Sequence, residues 1–436
     1  MLRRIIRFYK RIIVGDDVTD TTVLHPQVLD RVERLGEADI IVGIPSFRNA
    51  STISHVVKTA AFGMVQYFPE LKPILVNADG GSEDRTRDVV LETPVPSQVE
   101  KIVTPYRGPA GKGSAFQTIF EIADRLHAKV CIVIDSDLRS ITPEWIRLLG
   151  DPIYRYNYGF VAPHYLRYKY DGTITNSIAY PITRALYGQR VRQPIGGDFG
   201  VSWALAKIFS QQNIWEDENV HKFGIDIWMT TMAINEGFRV CQSTMGVKLH
   251  DPKDPGADLG PMFREVVGTI FELMRKYEAK WKVVYGSQPT DTYGMTWKVE
   301  PEQFAVDLHR LIDNFKTGFI AKQDLLRQVL SPDVFNEMEA LMLPPEDVFN
   351  LPRDLWVRAV YDFAVAYNWS GLNRREVIDA LMPLYFGRVG SFVIETEVMN
   401  NLQAEEEVEE TAEEFERLKS YLVDRWETGK SMHGNE

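Results

Sequence analysis

Short apolar runs alternate with amphipathic stretches between residues 39 and 134. Stretches with apolar residues at three- and four-residue spacing predict helices over 52–67, from near 84, and over 113–126. The apolar runs end in polar, proline or glycine positions and predict buried strands over Asp39–Pro45, Pro73–Asn77, Val99–Val103 and Val130–Ile134. Buried strands that alternate with helices predict right-handed crossovers and a mostly parallel, doubly wound α/β sheet.

After residue 254 the pattern becomes helical and stays so, which predicts an all-helical C-terminal region. The predicted helices are 263–284, 301–317, 322–330, 333–343, 353–367, 374–384 and 405–427. Residues 26–36 predict another short helix, which Gly36 ends. We therefore divide the chain into an N-terminal helical leader over 1–37, an α/β domain over 38–255 and a helical region over 256–436.

Charge is concentrated at the two ends of the chain. Residues 2–14 carry basic side chains among apolar positions at helical spacing. This pattern is typical of a membrane-surface helix or of a leader helix docked on the body or on a second subunit, and we favour docking. The tail after Ala404 is rich in glutamate. Its apolar face from Val408 to Trp426 favours a solvated amphipathic helix over an acidic binding arm.

Composition and net charge exclude several classes of protein. The 436 residues include 49 basic and 61 acidic side chains, and the net charge of −12 argues against nucleic acid as a partner. No run reaches roughly 18 uncharged apolar residues, so we expect no membrane span. The only cysteines, Cys131 and Cys241, argue against a disulfide framework and favour the cytoplasm. An acidic protein that binds an anion must gather positive charge locally, with or without a divalent cation.

Two short motifs lie at the predicted sheet edge where α/β proteins bind ligands. Asp135-Ser136-Asp137 follows a buried strand, which is typical of a divalent-metal site that neutralises a diphosphate or of strand-end turn chemistry. Gly111-Lys112-Gly113 begins a helix, so we expect a lysine and free backbone N–H groups at the same edge. Neither G-x-x-x-x-G-K-[ST] nor G-x-G-x-x-G follows the first strand, which counts against a kinase and a dehydrogenase.

The order of these motifs resembles that of nucleotide-sugar glycosyltransferases of the GT-A fold. Together with Pro45 and Asp79-Gly80-Gly81, these motifs are similar to motifs of one group within that fold. The group contains the retaining synthases of mannosylglycerate, glucosylglycerate and glucosyl-3-phosphoglycerate. Later segments extend the resemblance, namely Gln193–Asp198, Phe223–Asp226 and Val247–His250. It covers roughly residues 39–255. It implies a GT-A, Rossmann-like catalytic domain, with a helical region that serves oligomerisation and acceptor-site closure.

The resemblance also implies roles on the donor side. The nucleotide base would meet Asp79, Pro45 and Ser46, and the phosphates would meet Lys112. Asp137 and His250 would bind Mg²⁺ or Mn²⁺ at the diphosphate, and this donor set suits Mn²⁺ somewhat better. Asp226 would bind hydroxyls of the donor sugar near the reacting carbon. The remaining donor-site residues would be Asp135 near the ribose and metal, Ser136, Gly196, Gly197 and, as a weaker candidate, Asp198.

An acceptor site is implied by His164–Arg167 and by Thr175. In mannosylglycerate synthases an arginine and a threonine hold the glycerate carboxylate, so the resemblance assigns Arg167 and Thr175 to that role. Arginine can grip a carboxylate with two hydrogen bonds. The phosphoglycerate enzymes carry an arginine where this chain has Thr173, which favours glycerate over 3-phosphoglycerate. Lys169 lies near enough in the sequence to keep 3-phosphoglycerate open.

We therefore expect retaining, metal-dependent transfer of a hexose from a GDP- or UDP-hexose to D-glycerate, which would give the compatible solutes glucosylglycerate or mannosylglycerate. Same-face attack is favoured, and double displacement through Asp226 stays open. A glucosyl-3-phosphoglycerate synthase, a sugar nucleotidyltransferase and a non-enzymatic scaffold are the alternatives. A nucleotidyltransferase would normally show a glycine-rich loop after the first strand, where Pro45–Asn49 stands. We expect a homodimer from the apolar helical surfaces.

Overall fold

An eight-stranded sheet forms the centre of the protein, in a computed structural model that describes residues 22–249, 259–295 and 300–433. The predicted basic helix at residues 2–14 lies outside these residues. The strands are β1 (Ile40–Ser46), β2 (Pro73–Asp79), β3 (Glu100–Pro105), β4 (Val130–Val133), β5 (Phe160–Leu166), β6 (Gln189–Arg190), β7 (Phe199–Ser202), β8 (Val240–Val247), β9 (Gln288–Pro289) and β10 (Asp291–Tyr293). The sheet order is β10-β8-β5-β7-β4-β1-β2-β3, and β6 pairs separately with β9.

Most neighbouring strands run parallel, which confirms the predicted mostly parallel α/β sheet. β1 pairs parallel with both β2 and β4, and β5 pairs parallel with β8. Only β7 in the large sheet lies antiparallel to its neighbours β4 and β5. Every residue of β1 and β2 is buried, as expected for strands covered by helices on both faces.

Helices cover the two faces of the sheet. Successive residues of β1 point to opposite faces, so Ile41 packs into the apolar layer on one face and Val42 into the layer on the other. Over the Val42 face α2 packs on α5, and over the Ile41 face α4 packs on α7. The helices of this part are α1 (Pro26–Leu35), α2 (Ile53–Tyr67), α3 (Thr86–Glu92), α4 (Lys112–Arg125), α5 (Pro143–Tyr156), α6 (Tyr180–Tyr187), α7 (Trp203–Ser210) and α8 (Ile225–Asn235).

The C-terminal region is mainly helical, but the prediction of an all-helical region is wrong in one respect. Strand β10 joins the large sheet parallel to β8, and β9 pairs with β6. Such strands of two or three residues carry no periodicity that a sequence could reveal. The helices are α9 (Gly260–Lys276), α10 (Glu278–Trp281), α11 (Leu308–Val329), α12 (Pro332–Ala340), α13 (Arg353–Trp369), α14 (Arg374–Thr396), α15 (Asn401–Arg417) and α16 (Lys419–His433).

Several predicted helix boundaries also differ; the helix predicted over 374–384, for example, continues to Thr396. The helix predicted over 301–317 begins at Leu308, because the carboxylate of Asp307 caps it by accepting from the backbone N–H of Arg310. It continues without a break to Val329, so the segment predicted separately over 322–330 is its end. The acidic tail is two helices, α15 and α16, which meet at Leu418.

The acidic tail packs through the apolar face that the sequence predicted, with Val408, Phe415 and Trp426 buried, and it also forms ion pairs that were not predicted. Glutamates of α15 pair with arginines of neighbouring elements: the guanidinium of Arg184 lies 2.6 Å from Glu409 and 2.7 Å from Glu416. Arg353 pairs in the same way with Glu407 and Glu410. Much of the negative charge in the tail is thus compensated within the protein.

Helix α14 is long and apolar enough to cross a membrane by length and composition alone. Its most apolar window is 78% buried inside the protein, as in the core helix of a soluble protein, so it is weak evidence for a span. Leu381 and Tyr385 of this helix belong to an apolar core that also contains Phe160 and Phe199 of the sheet. The helical region therefore shares its core with the sheet, and this shared core fixes its position relative to the strand ends.

Candidate active site

A cavity of about 630 Å³ opens at the carboxyl ends of β1 and β4. Its wall continues through the loop before α4, the loop after β5 and the first turns of α8 and α9. Most of the residues that the sequence assigned to a site line it, namely Pro45, Ser46, Lys112, Asp135, Ser136, Asp137, Arg167, Thr175, Gly196, Gly197 and Asp226. Asp79 and Asp198 are not in this lining, and His250 lies outside the described residues.

Two lysines hold the carboxylate of Asp135 from opposite sides. The Nζ of Lys112 lies 2.8 Å from Oδ1, and the Nζ of Lys248 donates to Oδ2 at 3.0 Å. Each ammonium also donates to one carbonyl of the same turn, Lys112 to Gly197 at 3.3 Å and Lys248 to Gly196 at 2.9 Å. The lysines therefore join the end of β4 to the Gly196-Gly197 turn.

This arrangement keeps all three side chains ionised. Burial alone would raise the pKa of Asp135, but the two ammonium groups hold that pKa well below its usual range. Burial alone would lower the pKa of each lysine, but the carboxylates around Lys112 and Lys248 raise both lysine pKa values. The cavity wall thus contains two permanent cations at the D-x-D motif.

Sequence reasoning did not identify Lys248 as a site residue. It lies in the Val247–His250 segment that carried part of the resemblance, directly after β8. Its side chain is only 5% exposed and also donates to Asp198 at 2.8 Å. A charged residue at the end of a buried strand was the available signal, because such a charge needs partners.

The Gly196-Gly197 turn requires glycine for steric reasons. Gly197 has a φ of +94°, and a Cβ there would lie 2.3 Å from Oδ2 of Asp135 and 2.9 Å from Nζ of Lys248. A Cβ on Gly196 would lie 2.2 Å from Cγ of Pro163. The two glycines are therefore needed for packing against Pro163, Asp135 and Lys248.

The expected phosphate cradle of free backbone N–H groups before α4 is wrong. The N–H of Gly113 donates to the carbonyl of Lys222, and that of Ser114 donates to the carbonyl of His221. The N–H of Gly111 donates to the hydroxyl of Tyr106. These amides hold a neighbouring loop, so the side chain of Lys112 is the group of this motif that can meet a phosphate.

Asp226 brings a third carboxylate to the network. It is the second residue of α8, and its Oδ1 lies 3.2 Å from Nζ of Lys112. Burial raises the pKa of Asp226, and the charge of Asp135 acts in the same direction. Lys112 opposes both effects. Asp226 therefore lies in the cavity wall beside the cation that would meet the phosphates.

Two predicted ligand-binding aspartates have internal partners instead. The buried carboxylate of Asp79 accepts from the hydroxyls of Ser46 and Ser82 and from the N–H groups of Gly81 and Ser82, so it shapes the turn after β2. Asp198 is also fully buried and accepts from Lys248 and from the N–H of Asp135. Both are better described as positioning residues than as direct ligand contacts.

The expected acceptor residues lie together on another wall of the cavity. The guanidinium of Arg167 is 18% exposed, pairs with Asp171 at 3.2 Å and lies over the ring of Tyr165. Its Nε is buried and has no hydrogen-bond partner among the described residues. Thr175 begins a π-helical segment, Thr175–Ala179, and π-helical turns frequently occur at functional sites. Arg167 thus retains hydrogen-bonding capacity that a carboxylate could use.

The residues around the D-x-D motif fit a cation that arrives with phosphates. The described part of the chain contains no group of three His, Cys, Asp or Glu side chains able to hold a metal ion. Asp135 pairs with two lysines, and Asp137 lines the same cavity. Mg²⁺ and related ions at such sites use one or two carboxylates together with substrate phosphates, so Asp137 suits this kind of binding.

Comparisons with known proteins found similar solved structures. One is glucosyl-3-phosphoglycerate synthase from Mycobacterium tuberculosis in complex with Mg²⁺ and uridine diphosphate, which is 20% identical, covers 57% of this chain and 83% of its own, and has a TM-score of 0.43. Another is the same enzyme with Mn²⁺, uridine diphosphate and glucosyl-3-phosphoglycerate, at 22% identity, 58% and 84% coverage and a TM-score of 0.43. No family model and no curated protein sequence matches the chain.

Proposed function

We propose that the protein is a retaining, divalent-metal-dependent glycosyltransferase that moves a hexose from GDP- or UDP-hexose to the 2-hydroxyl of D-glycerate. The observation that carries this proposal is that one cavity is lined by groups for both substrates. Lys112 and Asp137 line it, as groups for a metal-bound diphosphate, and so do Arg167 and Thr175, as groups for a carboxylate. A site with both sets of groups suits a donor and an acceptor that are both anionic.

On the donor side, Lys112 would stabilise the leaving diphosphate, where negative charge grows in the transition state. Its pairing with Asp135 and Asp226 keeps the ammonium charged before the donor arrives. A bound Mg²⁺ or Mn²⁺, held by Asp137 and in our proposal also by His250, would neutralise further charge on the diphosphate. The M. tuberculosis enzyme was solved with uridine diphosphate and Mg²⁺ or Mn²⁺.

In the proposed reaction the bond from C1 of the sugar to the phosphate oxygen breaks, and a bond from C1 to O2 of glycerate forms on the same face. The proton of the 2-hydroxyl passes to the leaving phosphate oxygen. Asp226 would orient the sugar hydroxyls and stabilise the positive charge that develops near C1. Attack of this carboxylate on C1 would break its ion pair with Lys112, which supports same-face attack over double displacement.

Free glycerate is the better supported acceptor. The ammonium of Lys169 donates to three backbone carbonyls and does not line the cavity. The hydroxyl of Thr173, which stands where the phosphoglycerate enzymes have arginine, is paired with Tyr385. Binding of 3-phosphoglycerate would need a further cation for its phosphate, and the cavity-lining Lys222 is one candidate.

The proposal includes a homodimer in the cytoplasm. The helical region exposes some large apolar side chains, among them Leu343 at 86% and Val398 at 94% exposure, where a second subunit could pack. Cys131 and Cys241 are buried free thiols, in keeping with a reducing compartment.

The experiment that tests the function combines the protein with Mg²⁺ or Mn²⁺, one of UDP-glucose, GDP-glucose or GDP-mannose, and either D-glycerate or 3-phosphoglycerate. We expect glycerate-dependent release of nucleoside diphosphate with at least one donor. Release of pyrophosphate from a nucleoside triphosphate and a sugar phosphate would instead identify a nucleotidyltransferase. Absence of both reactions and of metal-dependent donor binding would support a scaffold protein and overturn the proposal.

A further inference from the structure

The segment that carries the acceptor residues is attached to the C-terminal helices. The ammonium of Lys169 donates to the carbonyls of Thr396 at 2.7 Å, Glu397 at 3.1 Å and Met399 at 2.8 Å. These carbonyls lie at the end of α14, where backbone acceptors have no partner within the helix and a cation is favourable. The backbone N–H of Lys169 also donates to Oδ1 of Asn401, at the start of α15.

Two further contacts attach the same segment to α14. The hydroxyl of Tyr170 donates to the carbonyl of Val393 at 3.3 Å, and the hydroxyl of Thr173 pairs with that of Tyr385. Tyr170 and Thr173 also belong to the cavity lining. The loop between Arg167 and Thr175 therefore contacts α14 at three positions, Lys169, Tyr170 and Thr173.

An ion pair with α15 holds the far end of the segment. Arg192, which is buried, donates from Nη2 to Glu405 at 2.7 Å and to Oδ1 of Asn176 at 2.9 Å. Asn176 directly follows Thr175, and Arg192 directly precedes Gln193 of the donor-sugar segment. Through Arg192, Glu405 therefore links α15 to the segment with the acceptor residues and to the donor-sugar segment that begins at Gln193.

We propose that α14 and α15 fix the conformation of the loop between Arg167 and Thr175, which carries the acceptor residues. Within that loop, Lys169 is the positioning residue that sets the distance between Arg167 and Thr175. This inference rests on the proposed function, because it concerns the acceptor site of that reaction. Lys169 itself would not touch the substrate. It would determine how a small hydroxy acid fits, since displacement of binding groups by about 1 Å can cost about 100-fold in rate.

The test compares Lys169→Met with the matched control Lys101→Met. The ammonium of Lys101 also donates to three carbonyls, those of Val90, Leu91 and Thr93 at the end of α3, but it does not belong to the segment that carries the acceptor residues. Both variants lose a lysine that caps a helix end. We expect Lys169→Met to raise KM for glycerate by about tenfold with donor KM unchanged, and Lys101→Met to change neither. Lys169→Arg should recover most of the glycerate affinity.

A second variant keeps the inference testable if Lys169→Met folds poorly. Tyr385→Phe removes the contact with Thr173 by deleting one hydroxyl, and we expect a smaller rise in glycerate KM with donor KM again unchanged. An active wild-type protein in which both variants keep the wild-type glycerate KM would overturn the inference and leave the proposed function standing. A wild-type protein without glycerate-dependent turnover would overturn the proposed function and the inference with it.

Discussion

The ammonium of Lys112 lies 2.8 Å from the carboxylate of Asp135, in the wall of the cavity. Lys248 holds the other oxygen of the same carboxylate. The first aspartate of the D-x-D motif is therefore neutralised by the protein. Asp137 also lines the cavity, and we propose it as a ligand of a phosphate-bound cation. The roles proposed for Lys112 and Asp137 are tested separately below.

Replacement of Lys112 by methionine should lower both activity and stability. Loss of a positioned cation at the leaving group should reduce kcat by about 100-fold or more. Loss of one partner from a buried ion pair should cost about 3–5 kcal/mol in the free energy of unfolding. Steady-state kinetics and urea unfolding measure the two effects. The control is Lys419→Met, which removes a lysine outside the cavity lining that donates to the carbonyls of Ala185 and Val284. Similar kcat values in both variants would contradict the role of Lys112.

Gly197→Ala should weaken donor binding, because the new Cβ would lie 2.3 Å from Oδ2 of Asp135. We expect about 2–5 kcal/mol of destabilisation, the sum of positive-φ strain and overpacking. Gly237→Ala is the control: its φ is +79°, but a Cβ there would meet nothing within 4 Å. This variant should lose only the free energy of unfolding due to positive-φ strain, about 1–2 kcal/mol. Its binding of the donor nucleotide, measured by calorimetry, should be normal. Equal binding of the donor nucleotide by the two variants would contradict the proposed role of the Gly196-Gly197 turn in the donor site.

Asp137→Ala should remove the metal dependence of nucleotide binding. In the wild-type protein, calorimetry should show UDP or GDP binding that Mn²⁺ strengthens by at least about tenfold and that chelation with EDTA weakens again. In Asp137→Ala the affinity with and without Mn²⁺ should be nearly the same. The exposed Asp324→Ala should behave as wild type. A normal Mn²⁺ response in Asp137→Ala would exclude Asp137 as the ligand.

Glu272 should make stability depend on pH. It accepts from Tyr367 and Asn219, the latter in the loop whose carbonyls hold the start of α4. Burial, with a smaller effect of nearby Asp217, raises the pKa of Glu272 from 4.5 to about 7, while Arg374 opposes the shift. The folded protein therefore binds a proton that the unfolded chain releases, and this stability is lost as pH rises from about 4.5 through 7.

Thermal unfolding between pH 4 and 8 tests this sign. The Tm of wild type relative to that of Glu272→Gln should fall as the pH rises, because glutamine cannot titrate. Glu83→Gln, an exposed change, should follow the wild-type curve throughout. Parallel curves for wild type and Glu272→Gln would contradict the prediction.

Much of the fold follows from local pattern. β1, β2 and β4 are continuous apolar runs, and their polar ends predicted the sheet edge where the cavity lies. Strand β10 was not predictable, because three residues show no periodicity and its partner β8 is remote in sequence. The ion pairs of the acidic tail were missed for a related reason, since the arginines that form them lie far away in the chain.

The candidate site was predictable in its residue types and less so in its contacts. The motifs identified Lys112, Asp135 and Asp226, which the fold brings together. A sequence pattern cannot show which hydrogen-bond partners are already taken, as with Asp79 and the amides before α4. Lys248 was missed because its role depends on the turn at Gly196, some 50 residues earlier and 2.9 Å away.

The most direct test of the proposed function is the structure of the product. The protein would be incubated with Mg²⁺ or Mn²⁺, ¹³C-labelled D-glycerate and UDP-glucose, GDP-glucose or GDP-mannose in parallel, and the purified product examined by NMR. Since these donors carry α-linked sugars, we predict an α-anomeric hexose attached to O2 of the labelled glycerate. A β-anomeric product would contradict retention, and a product without glycerate would contradict the proposed acceptor.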